Sequence, residues 1–184
     1  MKKIISRILV LLLALSMTAP ALATEIVEVG KTAPDFELEL LAGNAVCLNE
    51  DGTETDPPLF RLSDQIGKVV LINFWATWCP MCVMEMPDLE ALSQTYEENL
   101  VVIGIDSGET PDVVMDFLEE NGYTYNFAID ADYELITGQY PTSGIPYTVV
   151  VDPNGYVTAI KLGAASYDEL EAYVQDAMLV TGGE

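Results

Sequence analysis

The feature that most constrains this chain is the junction where the run Val69-Val70-Leu71-Ile72-Asn73-Phe74 meets Cys79-Pro80-Met81-Cys82. The run is apolar and β-branched, and it reads as a buried strand. The residues after it read as a helix from about Pro80 to Glu98, with Pro87 inside it and expected to kink it. Two cysteines three apart at a strand-to-helix junction make the arrangement that a dithiol redox centre needs. The first sulfur lies at the helix N-terminus, where unpaired N–H groups and the helix dipole favour a thiolate. The second lies one turn on, within reach of a small disulfide ring.

The N-terminus reads as a targeting segment. Lys2, Lys3 and Arg7 precede an apolar stretch from Ile8 to Leu15, and Ala21-Leu22-Ala23 has the small residues of a cleavage site. Residues 1–23 are therefore expected to be a secretory signal peptide, cut after Ala23, with one domain over residues 24–184. The competing reading is an uncleaved membrane anchor. Ile8 to Leu22 is 15 residues and includes Ser16, Thr18 and Pro20, whereas a span wants about 20 apolar residues. The expected location is extracytoplasmic, in the cell envelope or secreted. That is a compartment where disulfides persist.

Of the seven Lys and Arg residues, removal of the leader leaves Lys31, Arg61, Lys68 and Lys161 against 30 acids, a formal charge of −26. Such a surface disfavours nucleic acid and anionic membranes as partners. The chain has no His, which excludes His-based catalysis and His metal ligands. A structural zinc site wants four ligands, and the third cysteine, Cys47, stands alone. Asp130-Ala131-Asp132-Tyr133-Glu134 fails as a calcium loop, since Leu135 and Pro141 fill the positions that need Gly and Glu. No metal site and no cofactor are expected. Cys47 reads as an inert thiol rather than an intermolecular or regulatory one.

The rest of the chain alternates strands and helices. Phe36 to Leu40 alternates like a half-buried strand, with Val46-Cys47-Leu48 as a hairpin partner. Asn49 to Pro58 is a polar loop rich in breakers, Leu59 to Leu62 a resumed strand, and Ser63 to Gly67 a helical turn. Leu100–Asp106 reads as a second buried strand. A helix from Pro111 to about Asn121 is closed by Gly122. Asn126–Ile129 is a short strand and Tyr133–Tyr140 a short helix. Tyr147–Asp152 and Tyr156–Leu162 are strands joined by Asp152-Pro153-Asn154-Gly155, a hairpin turn. A last helix starts at Ser166, with Glu169 completing a capping-box pattern. The pattern implies an α/β fold, a central mixed β-sheet flanked by helices, with an N-terminal β-hairpin extension.

Four separate pieces carry a family resemblance. They are Gly30 to Phe36, the motif Asn73 to Cys82, Glu85-Met86-Pro87, and Gly144-Ile145-Pro146-Tyr147-Thr148. In this order they resemble the exported TlpA/ResA-like thiol-disulfide oxidoreductases of the thioredoxin-like superfamily (redoxin/AhpC-TSA type), over roughly Gly30 to Val180. The resemblance implies a thioredoxin fold and assigns roles. Cys79 is the exposed nucleophile and Cys82 the buried resolving thiol. Pro146 is a cis-proline opposite them, with the Ile145 main chain open to an extended substrate. Glu85 is the acidic residue that accepts or supplies a proton. Trp78 covers the disulfide, and Pro80 and Met81 complete the substrate-facing surface. Trp75 reads as core. The buried Asp of cytosolic thioredoxins, six residues before the first cysteine, is Asn73 here. Asn is no proton acceptor, so Glu85 is the candidate. The acidic stretch Asn44 to Phe60 is longer than the family's pattern and offers an added contact surface.

The implied function is disulfide reduction in exported clients, such as apocytochrome c thiols, by thiolate attack. With no His, Lys or Arg in the motif and Glu85 beyond it, the thiolate is only moderately stabilised. That points to a reductant fed by a membrane thiol donor of the CcdA/DsbD type. Two other readings compete. A peroxiredoxin-like peroxidase would need Pro-x-x-x-Thr-x-x-Cys, which is absent. A non-catalytic binding module on a thioredoxin scaffold would have no need of both thiols.

Overall fold

The run before the two cysteines is the centre of the sheet. The structure, a computed structural model, describes residues 25–42 and 58–180. The expected leader, Val46–Leu48 with Cys47, and most of the acidic stretch after Asn44 lie outside these residues. Among the described residues seven strands form one sheet: β1 (Glu37–Ala42), β2 (Leu59–Arg61), β3 (Val69–Trp75), β4 (Leu100–Asp106), β5 (Asn126–Ile129), β6 (Tyr147–Val151) and β7 (Val157–Leu162). Their order is β2-β1-β5-β4-β3-β6-β7. β3, β4 and β5 run parallel, while β6, β7, β1 and β2 join antiparallel. Every residue of β3 and β4 is buried, which is why both read as unbroken apolar runs rather than alternating ones.

Among the described residues three α-helices accompany the sheet: α1 (Pro80–Thr95), α2 (Pro111–Asn121) and α3 (Tyr167–Met178). All three pack on one face. Val69, Leu71 and Trp75 of β3 join Leu89 and Leu92 of α1, Val114 and Leu118 of α2, and Leu170 and Val174 of α3 in one core. The handedness of the crossovers accounts for this. Two successive parallel connections, β3-α1-β4 and β4-α2-β5, step the same way along the sheet, so right-handed crossovers place both helices on the same side. The opposite face carries Val70, Ile72 and Phe74 and is covered by Phe36, Phe60, Leu62, Leu135, Ile136 and Tyr140. Phe36 packs on both Phe60 and Tyr140 with ring centroids 5.7 Å apart, and the Tyr140 hydroxyl donates to the Pro34 carbonyl.

Local chemistry sets most boundaries. Thr110 precedes Pro111 at the first position of α2, and Gly122 ends that helix with φ +73°, a conformation that favours glycine. The Ser166 hydroxyl accepts from the Glu169 N–H at the start of α3, while the Glu169 carboxylate turns to Lys161 and Tyr173 instead of closing the capping box. Helix α1 continues through Pro87. The expected short helix at Tyr133–Tyr140 is a π-helical turn, Leu135–Gln139, held by Asp130 accepting from the N–H groups of Leu135 and Ile136. The described antiparallel partner of β1 in the N-terminal extension is β2, the strand expected at Leu59–Leu62. Gly104 is required in β4, since a Cβ there would come within 2.9 Å of the Phe127 ring and 3.1 Å of Trp75 Nε1. Among the described residues no helix is long and apolar enough to cross a membrane.

The helix-covered core predicts a specific sensitivity. Leu89 of α1 is fully buried among residues of all three helices. Leu89→Ala is expected to cost about 2–5 kcal/mol, the range for cavity-forming substitutions, read from urea unfolding midpoints. A loss under about 1 kcal/mol would mean that α1 is not locked into this core.

Candidate active site

Strand β3 ends at Trp75, and the chain turns through Ala76 to Trp78 into α1, with the Cys79 N–H donating to the Ala76 carbonyl at 3.1 Å. Cys79 is the residue that caps α1, and Pro80 occupies the first helical turn, where a missing N–H costs nothing. Cys79 and Cys82 are joined as a disulfide with Cα atoms 5.3 Å apart. The Cys79 sulfur also accepts the Cys82 N–H at 3.2 Å. This places it on the positive end of the helix, where a thiolate would be stabilised once the bond is opened. Neither the first nor the last turn of α1 adds a favourable side-chain charge.

Cys82 is fully buried, and Cys79 is only 5% exposed. The expectation of an exposed nucleophile is therefore corrected for the disulfide form. The Cys79 sulfur is turned inward, onto both its partner sulfur and the helix N-terminus. What stands in solvent is the rim: Trp78, Met81 and Met84 are 66%, 49% and 62% exposed, and Pro80 is exposed beside them. Trp78 and Ile145 share a groove of about 220 Å³ with Ser107, Tyr133, Ile136, Thr137, Thr142 and Gly144. The Ile145–Pro146 bond is cis. Pro146 is buried and Ile145 half-buried, and the Ile145 main chain makes no hydrogen bond among the described residues. Trp75 is fully buried, as expected, against Phe117 and Phe127 at 5.4 and 5.7 Å.

Glu85 is not a surface carboxylate. It is 2% exposed and lies three residues after Cys82, on the same face of α1. Oε1 accepts from Asn73 Nδ2 at 2.7 Å, and Oε2 accepts from the Ala165 N–H at 3.0 Å. Asn73 also donates to Thr148 Oγ1 at 3.0 Å, while its own Oδ1 is buried without a donor. Burial pushes the Glu85 carboxyl above its usual value, and the bonds from Ala165 and Asn73 hold it back only in part. A buried carboxyl with a raised pKa beside the inner cysteine can take up and return a proton.

The position that carries Asp in cytosolic thioredoxins thus holds the amide that orients Glu85. Sequence reasoning had found both residues but not their contact. It also missed Thr148 and Ala165, whose roles rest on long-range packing, and Glu109, whose carboxylate grips Thr77. Thr148 lies in the Gly144–Thr148 piece of the family resemblance but was given no role there, and no motif marks Ala165 or Glu109.

A Redoxin family model matches residues 28–176. The chain belongs to the Redoxin family. It is 35% identical to the thiol-disulfide oxidoreductase ResA of Oceanobacillus iheyensis, over 83% of this chain and 74% of that protein. It is 31% identical to the thioredoxin-like protein YneN of Bacillus subtilis, over 79% of this chain and 78% of that one. A solved thiol:disulfide interchange protein of the thioredoxin family from Chlorobium tepidum TLS aligns with a TM-score of 0.64 at 26% identity, covering 80% of this chain and 95% of that one. With both cysteines present, this member of the family is a thiol-disulfide oxidoreductase of thioredoxin fold.

The buried carboxyl has a stability signature. Its pKa is raised in the folded state, so the fold binds this proton more tightly than the unfolded chain does. The associated stabilisation is complete below the ordinary value of 4.5 and is lost as pH rises through the folded-state value. Glu85→Gln removes this dependence. Urea midpoints of the disulfide form across a pH series should show wild type losing ground to the variant as pH rises from the ordinary carboxylate value. A difference that stays flat with pH would contradict the assignment.

Proposed function

We propose that this protein is a reductant for disulfides in exported proteins, recharged by a membrane thiol donor. The observation that carries this reading is the electrostatic character of the site. The Cys79 sulfur has one N–H donor and a helix terminus in its favour, with no cationic side chain in α1's terminal turns. The titratable group built in beside the pair is a carboxyl, Glu85. Strong oxidants of this chemistry depend on a very stable thiolate, and a site of this composition stabilises one only moderately.

In the reducing direction the Cys79 thiolate attacks a client disulfide. One client sulfur bonds to Cys79, and the other leaves as a thiolate that takes a proton. Cys82 then loses its proton to Glu85 and attacks the Cys79 sulfur. The Cys79–Cys82 disulfide re-forms, and the second client sulfur departs, taking up a proton. Two electrons pass from the dithiol to the client, and the donor restores them by the reverse exchange. Trp78, Pro80, Met81, Ile145 and Pro146 form the surface that receives the client, whose extended chain would pair with the unpaired Ile145 main chain. Apocytochrome c thiols are one client class suited to this chemistry, and a donor of the CcdA/DsbD type suits an extracytoplasmic reductant. The sequence of residues 1–23 supports export and cleavage after Ala23. The names of the relatives, ResA and a thiol:disulfide interchange protein, support exchange with protein disulfides.

The client reading is tested by trapping. Cys82→Ser, expressed with its leader, should accumulate mixed disulfides with extracytoplasmic proteins through Cys79, and Cys79→Ser should accumulate none. Glu85→Gln should slow release of client by roughly 10²–10⁴-fold, the usual contribution of a positioned acid–base group, without lowering initial capture. Equal trapping by the two cysteine variants would overturn the assigned order of attack.

A further inference from the structure

A second buried carboxyl lies near the site, and thiol exchange as described makes no use of it. Asp106 ends β4 and is fully buried. Its Oδ1 accepts the Glu109 N–H at 2.7 Å, while its Oδ2 is buried with no donor. Glu109 in turn reaches across to the turn between β3 and α1. One carboxylate oxygen accepts the Thr77 N–H at 2.6 Å, and the other accepts the Thr77 hydroxyl at 2.7 Å. Thr77 lies inside the turn closed by the Cys79 N–H on the Ala76 carbonyl. A continuous chain of short hydrogen bonds therefore runs from the end of β4 to the residue two before the nucleophile.

We propose that Asp106 and Glu109 form a proton-holding clasp that positions the turn bearing Cys79, with Glu109 gripping Thr77 and Asp106 steadying Glu109. Both are positioning residues, since neither touches the sulfurs. The clasp bears on exchange in either direction and does not depend on the reductant reading.

The unpartnered Oδ2 explains why a proton belongs there. A buried carboxylate oxygen without a donor is costly, and protonation removes the charge that makes it so. Burial, with the neighbouring Glu109 charge in a lesser role, raises the Asp106 carboxyl to about 7. With that proton in place Asp106 is neutral, and Glu109 keeps both of its oxygens on Thr77. Loss of the proton leaves a charge on the donorless Oδ2 beside part-buried Glu109, and repulsion between them loosens the grip on Thr77. Other titratable groups nearby are committed elsewhere. Asp130 caps Leu135 and Ile136, Glu85 faces Asn73 and Ala165, and the Tyr133 ring lies against Gly108. Glu109 is the one charged group acting on Asp106 among the described residues.

The test uses the disulfide form, in which neither Cys79 nor Cys82 titrates. Tryptophan emission, reporting Trp75 and Trp78 on either side of the turn, should show an inflection near pH 7 in wild type. Asp106→Asn should abolish it, and Glu85→Gln should leave it in place. Reduction of the Cys79–Cys82 bond by dithiothreitol at pH 6 should slow by about tenfold or more in Glu109→Ala, since small displacements of reacting groups cost up to about 10²-fold. Glu109→Gln, which keeps an acceptor for the Thr77 N–H, should restore most of that rate. Persistence of the inflection in Asp106→Asn, or a wild-type rate in folded Glu109→Ala, would overturn the proposal.

Discussion

The site depends first on one buried carboxylate. Glu85 projects from α1 into the interior and is met by the Asn73 amide from β3 and the Ala165 N–H from the approach to α3. A charge taken from water into such a place is tolerated only when it is hydrogen-bonded or when it can be neutralised. Both conditions hold here. The donors fix where α1 sits on the sheet, and the raised pKa leaves the group able to exchange its proton. Residues that hold the active-site helix against β3 and α3 are thus the same ones that tune the chemistry beside Cys82.

This arrangement has consequences for packing. The described helices α1, α2 and α3 lie on one face of the sheet, so the disulfide and the core of α1 belong to a single apolar layer. The opposite face is covered by the N-terminal segment, β2 and the π-helical turn. That same turn follows Tyr133 and contributes Ile136 and Thr137 to the groove beside Trp78 and Ile145. The helix-free side therefore contributes to the client-facing surface, while the helix side holds the thiols and their proton.

Much of the fold was legible because the signals were local. The unbroken apolar runs of β3 and β4, the Pro111 and Gly122 ends of α2, the Asp152–Gly155 hairpin and the Ser166 cap each follow from residues within a few positions of one another. The two cysteines were legible for the same reason. The exposure of Cys79 was misjudged, because the direction in which a sulfur points depends on the disulfide and the helix terminus together. The Asn73–Glu85–Ala165 network was only half visible: Asn73 and Glu85 were singled out, but Ala165 reaches Glu85 across 80 positions in the chain. Asp106 and Glu109 carried no motif at all. Asp106 was read as the end of a buried strand, but its link to Thr77 runs through Glu109, which lies 32 positions from Thr77 in the chain.

The most direct test of the account is the reduction potential of the Cys79/Cys82 pair, measured by equilibration in defined thiol buffers with Cys47→Ser as control. A carboxyl-flanked dithiol with a moderately stabilised thiolate should lie near or below roughly −220 mV, in the glutaredoxin-to-thioredoxin range. A value near roughly −120 mV, typical of strong oxidants, would contradict the proposed direction and make the protein a disulfide-forming enzyme.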